Sequence, residues 1–131
     1  REIPNTVMFT GRMALAKTLA NQIGDNFDLY VNRMLFGVNG TAGGVPKYVD
    51  AHREGLFGLT EISKPVIASV DAVRTTAIFT TVLSYSEGNG LGLNEMALQL
   101  ANGDLYSMKT FADLNKTSDQ QITINWRITF I

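Results

Sequence analysis

Cysteine is absent from the 131-residue chain, which excludes a disulfide framework, a thiolate metal site and a cysteine nucleophile. Histidine and tryptophan occur once each, and proline three times. No apolar run approaches the ~18–20 residues that a membrane-crossing helix needs, and no basic start leads into an apolar stretch of the secretory kind. A soluble chain with no membrane partner is the expectation. Charge of one sign is missing too, since 11 Lys and Arg stand against 12 Asp and Glu for a net charge of −1. The basic residues are spread singly, which argues against direct nucleic-acid binding.

What is present is 45% hydrophobic residues and only 18% charged ones. A chain of this length typically buries roughly 65–70% of the surface it exposes when unfolded, so one compact domain is expected. Residues 1–9 (REIPNTVMF) contain Pro4 and read as an extended N-terminal arm ordered by a partner. Arg1, Glu2, Ile3 and Pro4 are therefore candidate interface residues. The single domain then runs over 10–131. Thr10 as N-cap, alanines at 14, 16 and 20, and Gly24 as a stop predict one helix, with Leu15, Leu19 and Ile23 on its core face.

Residues 28–36 (DLYVNRMLF) read as a buried strand running into Gly37. From 37 to 58 the chain carries six glycines among polar residues and reads as a long polar loop. Loops of that length tend to be functional or ordered by a neighbour. Within it Val45, Pro46, Lys47, Tyr48, His52 and Arg53 are the candidate contacts to another subunit.

The remainder is strand-like. A short strand is expected over 66–70 after Pro65, and a central strand covered on both faces over 74–85, with Phe79 in the core. After a loop at 87–94, residues 95–101 alternate Met96, Leu98 and Leu100 with Glu95, Ala97 and Gln99. Asn102-Gly103 then predicts a hairpin with a type I′ turn. In 122–130 (ITINWRITF) Ile122, Ile124, Trp126, Ile128 and Phe130 alternate with polar residues, the pattern of an antiparallel strand with one buried face. The expected fold class is α+β, one N-terminal helix packed on a mainly antiparallel β-sheet or small β-sandwich. Leu98, Ile124, Trp126, Ile128 and Phe130 join the expected core.

Chemistry is harder to find. His52 lies near Asp50 and Glu54, a trio that could ligate a metal or supply a base, but Gly55 and Gly58 favour a solvated loop. GVNGTAGG at 37–44 lacks the Gly-Lys-Ser/Thr of a phosphate loop, and GNGLG at 88–92 lacks the third glycine of a dinucleotide fingerprint. Among Glu61, Asp71, Glu87, Glu95 and Asp104 no carboxylate pair stands out, and none of the serines sits in a Gly-x-Ser-x-Gly elbow. Lys109, Arg74 and Arg127 read as solvent-facing strand charges. The expectation is no enzyme, no metal and no cofactor. A ligand- or carbohydrate-binding β-domain using the 86–94 loop with Tyr85, Tyr106 and Trp126 is the alternative of another class.

The C-terminal half carries a further signal. A long strand at 74–85 is followed by a Gly-Asn-Gly loop before Asn94-Glu95-Met96-Ala97-Leu98. Then come the Asn102-Gly103-Asp104-Leu105-Tyr106 hairpin, Phe111, Lys116-Thr117 and the closing ITINWRITF. This succession resembles small structural virion proteins of tailed bacteriophages, most of all tail, collar and fibre-attachment proteins. The Thr10 to Ala16 segment and the strand into Phe36-Gly37 are similar to the opening of such proteins. The 37–58 loop departs from the pattern by being longer and richer in glycine. The resemblance implies an architectural, cofactor-free accessory subunit of the tail, collar or baseplate, present in several symmetric copies and bound to other virion proteins. A capsid decoration protein is the variant of that role on the head.

Overall fold

A computed structural model of the chain describes residues 5–22 and 29–130. Its elements in chain order are β1 (Thr6–Val7), α1 (Phe9–Leu19), β2 (Val31–Gly37), β3 (Thr41–Ala42), β4 (Val45–Pro46), β5 (Ile62–Pro65), β6 (Ile67–Asp71), β7 (Thr76–Leu83), β8 (Gly92–Leu100), β9 (Leu105–Asn115) and β10 (Ile122–Thr129). The strands form a five-stranded sheet in the order β1-β9-β8-β2-β5, a three-stranded sheet β10-β7-β6 and the small hairpin β3-β4. All pairings are antiparallel. The α+β expectation holds as a mainly antiparallel β fold with one short helix.

Alternation within the strands explains the layering, because side chains at i and i+2 share a face. Met34 and Phe36 of β2, Met96, Leu98 and Leu100 of β8, Trp126 and Ile128 of β10, and Leu83 of β7 meet in one apolar cluster drawn from both sheets. The strand over 122–130 is where the alternation placed it, and Trp126 lies inward opposite Phe79. The intervening residues of the large sheet, Leu35, Ala97, Leu105 and Met108, face the other way and form a second cluster with Met8 and Val49. The large sheet is therefore buried on both faces.

Several expectations are corrected. The arm over 1–9 is cut short. Thr6 and Val7 pair with Met108 and Ser107, Met8 is fully buried, and the Phe9 N–H donates to Ala51 O. Residues 6–9 thus belong to the domain, and deleting 1–9 would remove an edge strand and a core side chain. Arg1, Glu2, Ile3 and Pro4 lie outside the described residues. The helix starts at Phe9 rather than after Thr10, whose hydroxyl donates instead to Leu105 O at 2.6 Å. It ends at Leu19, and Ile23 and Gly24 lie outside the described residues.

The helix does not bury its leucines. Leu15 is 44% and Leu19 92% exposed, while Gly11 and Ala14 are buried. Gly11 approaches the Tyr106 backbone so closely that a Cβ would collide with the Tyr106 carbonyl oxygen. Contact through small residues at i and i+3 turns the larger side chains outward. Phe130 is also half-exposed, and Ile124 and Phe79 are partly buried against the core rather than within it.

The hairpin at 100–105 forms, but its turn is not type I′. Gly103 alone takes positive φ, at 98°, and its N–H donates to Leu100 O, the pattern of a type I turn followed by a left-handed glycine. Two consecutive positive φ values occur instead at Gly43 and Gly44, between β3 and β4. The short strand expected over 66–70 is present as β6, although Pro65 ends β5 instead of opening it, and at Val66 the chain passes from the large sheet to the small one.

One ion pair ties the large sheet to the loop between β7 and β8. Lys64 of β5 donates to both carboxylate oxygens of Glu87 at 2.9 Å. That bond, with the Ser84 N–H also donating to Glu87, holds the Glu87 pKa down at about 2. The folded state keeps this carboxyl ionised, so its contribution is complete above the ordinary value of 4.5 and is lost as pH falls from there towards 2. Lys64→Ala should therefore destabilise the domain by about 1 kcal/mol at pH 7 and by almost nothing at pH 2, as read by urea denaturation at the two pH values. An equal loss at both would show that the lysine acts through packing.

Candidate functional site

The 37–58 segment supplies the surface where most of the candidate contacts gather, and two adjacent β8 residues hold it in place. Glu95 is completely buried. Its Oε1 accepts the Phe57 N–H at 2.6 Å, and its Oε2 accepts the N–H groups of Asn39 at 3.1 Å and Gly58 at 3.2 Å. A buried carboxylate is costly unless its lone pairs are taken up, and here three backbone donors from both ends of the segment take them. Asn94 does the same beside it. Its Oδ1 accepts the Gly40 N–H, and its Nδ2 donates to Val38 O, to Thr41 Oγ1 and to Asp113 Oδ1.

Glycine makes this possible by leaving room. Gly37 is the register partner of Glu95, and a Cβ on it would lie 2.6 Å from Glu95 Oε2. A Cβ on Gly40 would collide with the Asn94 carbonyl, and one on Gly58 with the Asn39 amide. Half of the six glycines read as marks of a flexible loop are points of close approach. The segment also lays Val49, Leu56 and Phe57 over the second face of the large sheet. Parts of the segment are thus packed or paired, Thr41–Ala42 with Val45–Pro46, while Asp50, His52 and Glu54 are exposed as a solvated loop leaves them.

The candidate contacts divide accordingly. Val45, 66% exposed, and Tyr48, 86% exposed, stand bare on the outside with Pro46 between them in sequence. Lys47 and Arg53 are partly buried and engaged within the segment, both lying over the Phe57 ring, Arg53 at 3.7 Å and Lys47 at 4.9 Å from its centroid. Arg53 also donates to Gly55 O and Leu56 O. His52 is exposed and stacks on Phe9, ring centroids 5.5 Å apart. Its backbone N–H donates to Asp50 Oδ1 at 2.8 Å and, with the imidazole on the same oxygen, lowers the Asp50 pKa below the usual carboxylate range. Among the described residues no three His, Asp or Glu side chains converge on a point that could hold a metal ion.

A groove of about 500 Å³ opens between β9 and β10, lined by Phe36, Met96, Lys109, Phe111, Ile124 and Trp126 among others. Lys109, read as a solvent-facing charge, instead holds its ammonium 4.2 Å from the Trp126 ring centroid, and burial pushes its pKa down. Arg74 and Arg127 are exposed, Arg74 pairing with Asp71 at 3.2 Å. The aromatic set considered for a ligand site is not assembled. Tyr85 is exposed while Tyr106 and Trp126 are buried.

Sequence reasoning missed Glu95, Asn94 and Lys116. Lys116 is buried, donates to Asn89 Oδ1 at 2.8 Å and, through its carbonyl, accepts the Gly90 N–H. The Gly-Asn-Gly loop and the Lys-Thr pair singled out above are thus bound to each other. The available signal was an acidic residue in an otherwise apolar strand opposite a glycine-rich stretch. Comparison with protein-family models, curated proteins and solved structures finds no match.

Proposed function

We propose that the chain is a non-enzymatic structural protein of a tailed-bacteriophage virion, an accessory subunit of the tail, collar or baseplate present in several copies. The observation that supports this reading is the 37–58 segment, pinned from within by Glu95 and Asn94 while Val45, Pro46 and Tyr48 face outward. A rigid scaffold presenting exposed apolar side chains is a pre-organised protein contact, since it binds without first ordering a loop. The finer architecture, an N-terminal helix lying on a small sandwich, belongs to the same proposal. In this reading the exposed face of the segment meets a neighbouring virion protein.

The test is where the polypeptide sits. Mass spectrometry and imaging of purified particles should find it in multiples set by the local symmetry, on the tail, collar or baseplate. Location on the outside of the head would make it a decoration protein. Absence from particles would end the proposal.

A further inference from the structure

We infer that two copies of this chain pair through the outer edge of β10, in antiparallel register about a twofold axis at Asn125. Among the described residues β10 hydrogen-bonds only to β7, so its other edge is unpaired over eight residues. Proteins guard such edges with proline, charge or brevity. The other edges of the two larger sheets are shorter: β1 has two residues, β5 has four and carries Lys64 and Pro65, and β6, which exposes Ile67 and Val70, has five and ends at Asp71, so β10 is the longest unpaired edge. β10 has no proline, and its single charge is Arg127.

The sequence of β10 complements itself. Centred on Asn125, an antiparallel pair sets Ile122 against Ile128, Ile124 against Trp126 and Thr123 against Arg127, with Asn125 against its own copy. Every apolar residue meets an apolar one and every polar residue a polar one, so the inward face of the sheet continues across the axis. The two Arg127 side chains stay apart, each opposite a threonine. Twofold pairing of this kind uses one patch on both subunits and closes at a dimer. It would join the two three-stranded sheets into one sheet of six strands.

The inference names one contact within the assembly role proposed above, yet it is read on isolated protein and can fail while particle incorporation stands. The absence of cysteine makes crosslinking specific. Opposed residues in an antiparallel pair have Cα atoms about 4.5–5.5 Å apart, within the separation of about 4.4–6.8 Å that a disulfide spans. Asn125, Thr123, Arg127 and Ser69 are all exposed or on the edge of the small sheet, so single Cys variants there should fold. Under mild oxidation Asn125→Cys should give a covalent dimer at least about tenfold faster than Ser69→Cys on β6. Thr123→Cys and Arg127→Cys should link when mixed but not alone. The wild-type chain should sediment as a dimer. A monomer, fastest linking at Ser69, or self-linking at Thr123 or Arg127 would each overturn the assignment.

Discussion

Trp126→Ala is expected to destabilise the domain by about 3–5 kcal/mol, the loss typical when a large buried aromatic is cut back to a methyl group. The indole is 2% exposed and sits where both sheets meet, against Phe36, Met96 and the Lys109 ammonium. Its removal leaves a void among residues of separate strands, which cannot close without moving the sheets. Trp126→Phe separates volume from polarity. The indole nitrogen has no hydrogen-bond partner among the described residues, so phenylalanine forfeits volume but no hydrogen bond, and should cost less than half as much. Urea denaturation of both variants checks the pair, and a near-zero loss for alanine would place the ring outside the core.

The second large effect is at Glu95. Glu95→Ala strands the partly buried N–H groups of Asn39, Phe57 and Gly58, and a donor left without a partner away from water costs about 1–3 kcal/mol. Water reaching the released segment offsets part of this, giving an expected loss of about 3–5 kcal/mol. Glu95→Gln rescues it only partly, because the amide NH2 would point a donor at backbone donors where the carboxylate offers two acceptors. The damage should be local at first. Releasing the segment uncovers Leu35, Leu105 and Met108 while leaving the Trp126 cluster closed, so limited proteolysis should cut Glu95→Ala between 37 and 58 before the sheets unfold. A variant as stable and as resistant as wild type would show that the segment is held by its apolar side chains alone.

Strands with a strict two-residue alternation were legible in the sequence. Residues 122–130 are the clearest, since a one-residue slip would turn Trp126 into solvent, and so the pattern specifies both the strand and its buried face. The helix was legible as an element but not in its orientation. Leucines at four-residue spacing suggest a core face, yet the close approach of Gly11 to Tyr106 selects the small residues as the contact, and that depends on a partner 95 residues away.

The candidate surface was legible only in outline. Glycines at 37, 40 and 58 look alike in a sequence whether they confer freedom or leave space, and only the register of Gly37 against Glu95 decides between them. Alternation sets Glu95 on the face opposite Met96 and Leu98, but it predicts which face a side chain takes, not what covers that face. The cover comes from Val49, Leu56 and Phe57, scattered in a stretch whose composition reads as polar loop.

Hydrogen exchange at the Phe57 and Gly58 amides tests the pre-formed surface most directly. Neither residue lies in a strand, yet both amides donate into buried Glu95. They should exchange as slowly as the amides of β8 in the wild-type chain and become fast in Glu95→Ala, while β10 stays protected. Fast exchange at both positions in the wild type, beside a protected β10, would contradict a pinned segment and with it the surface on which the proposed function stands.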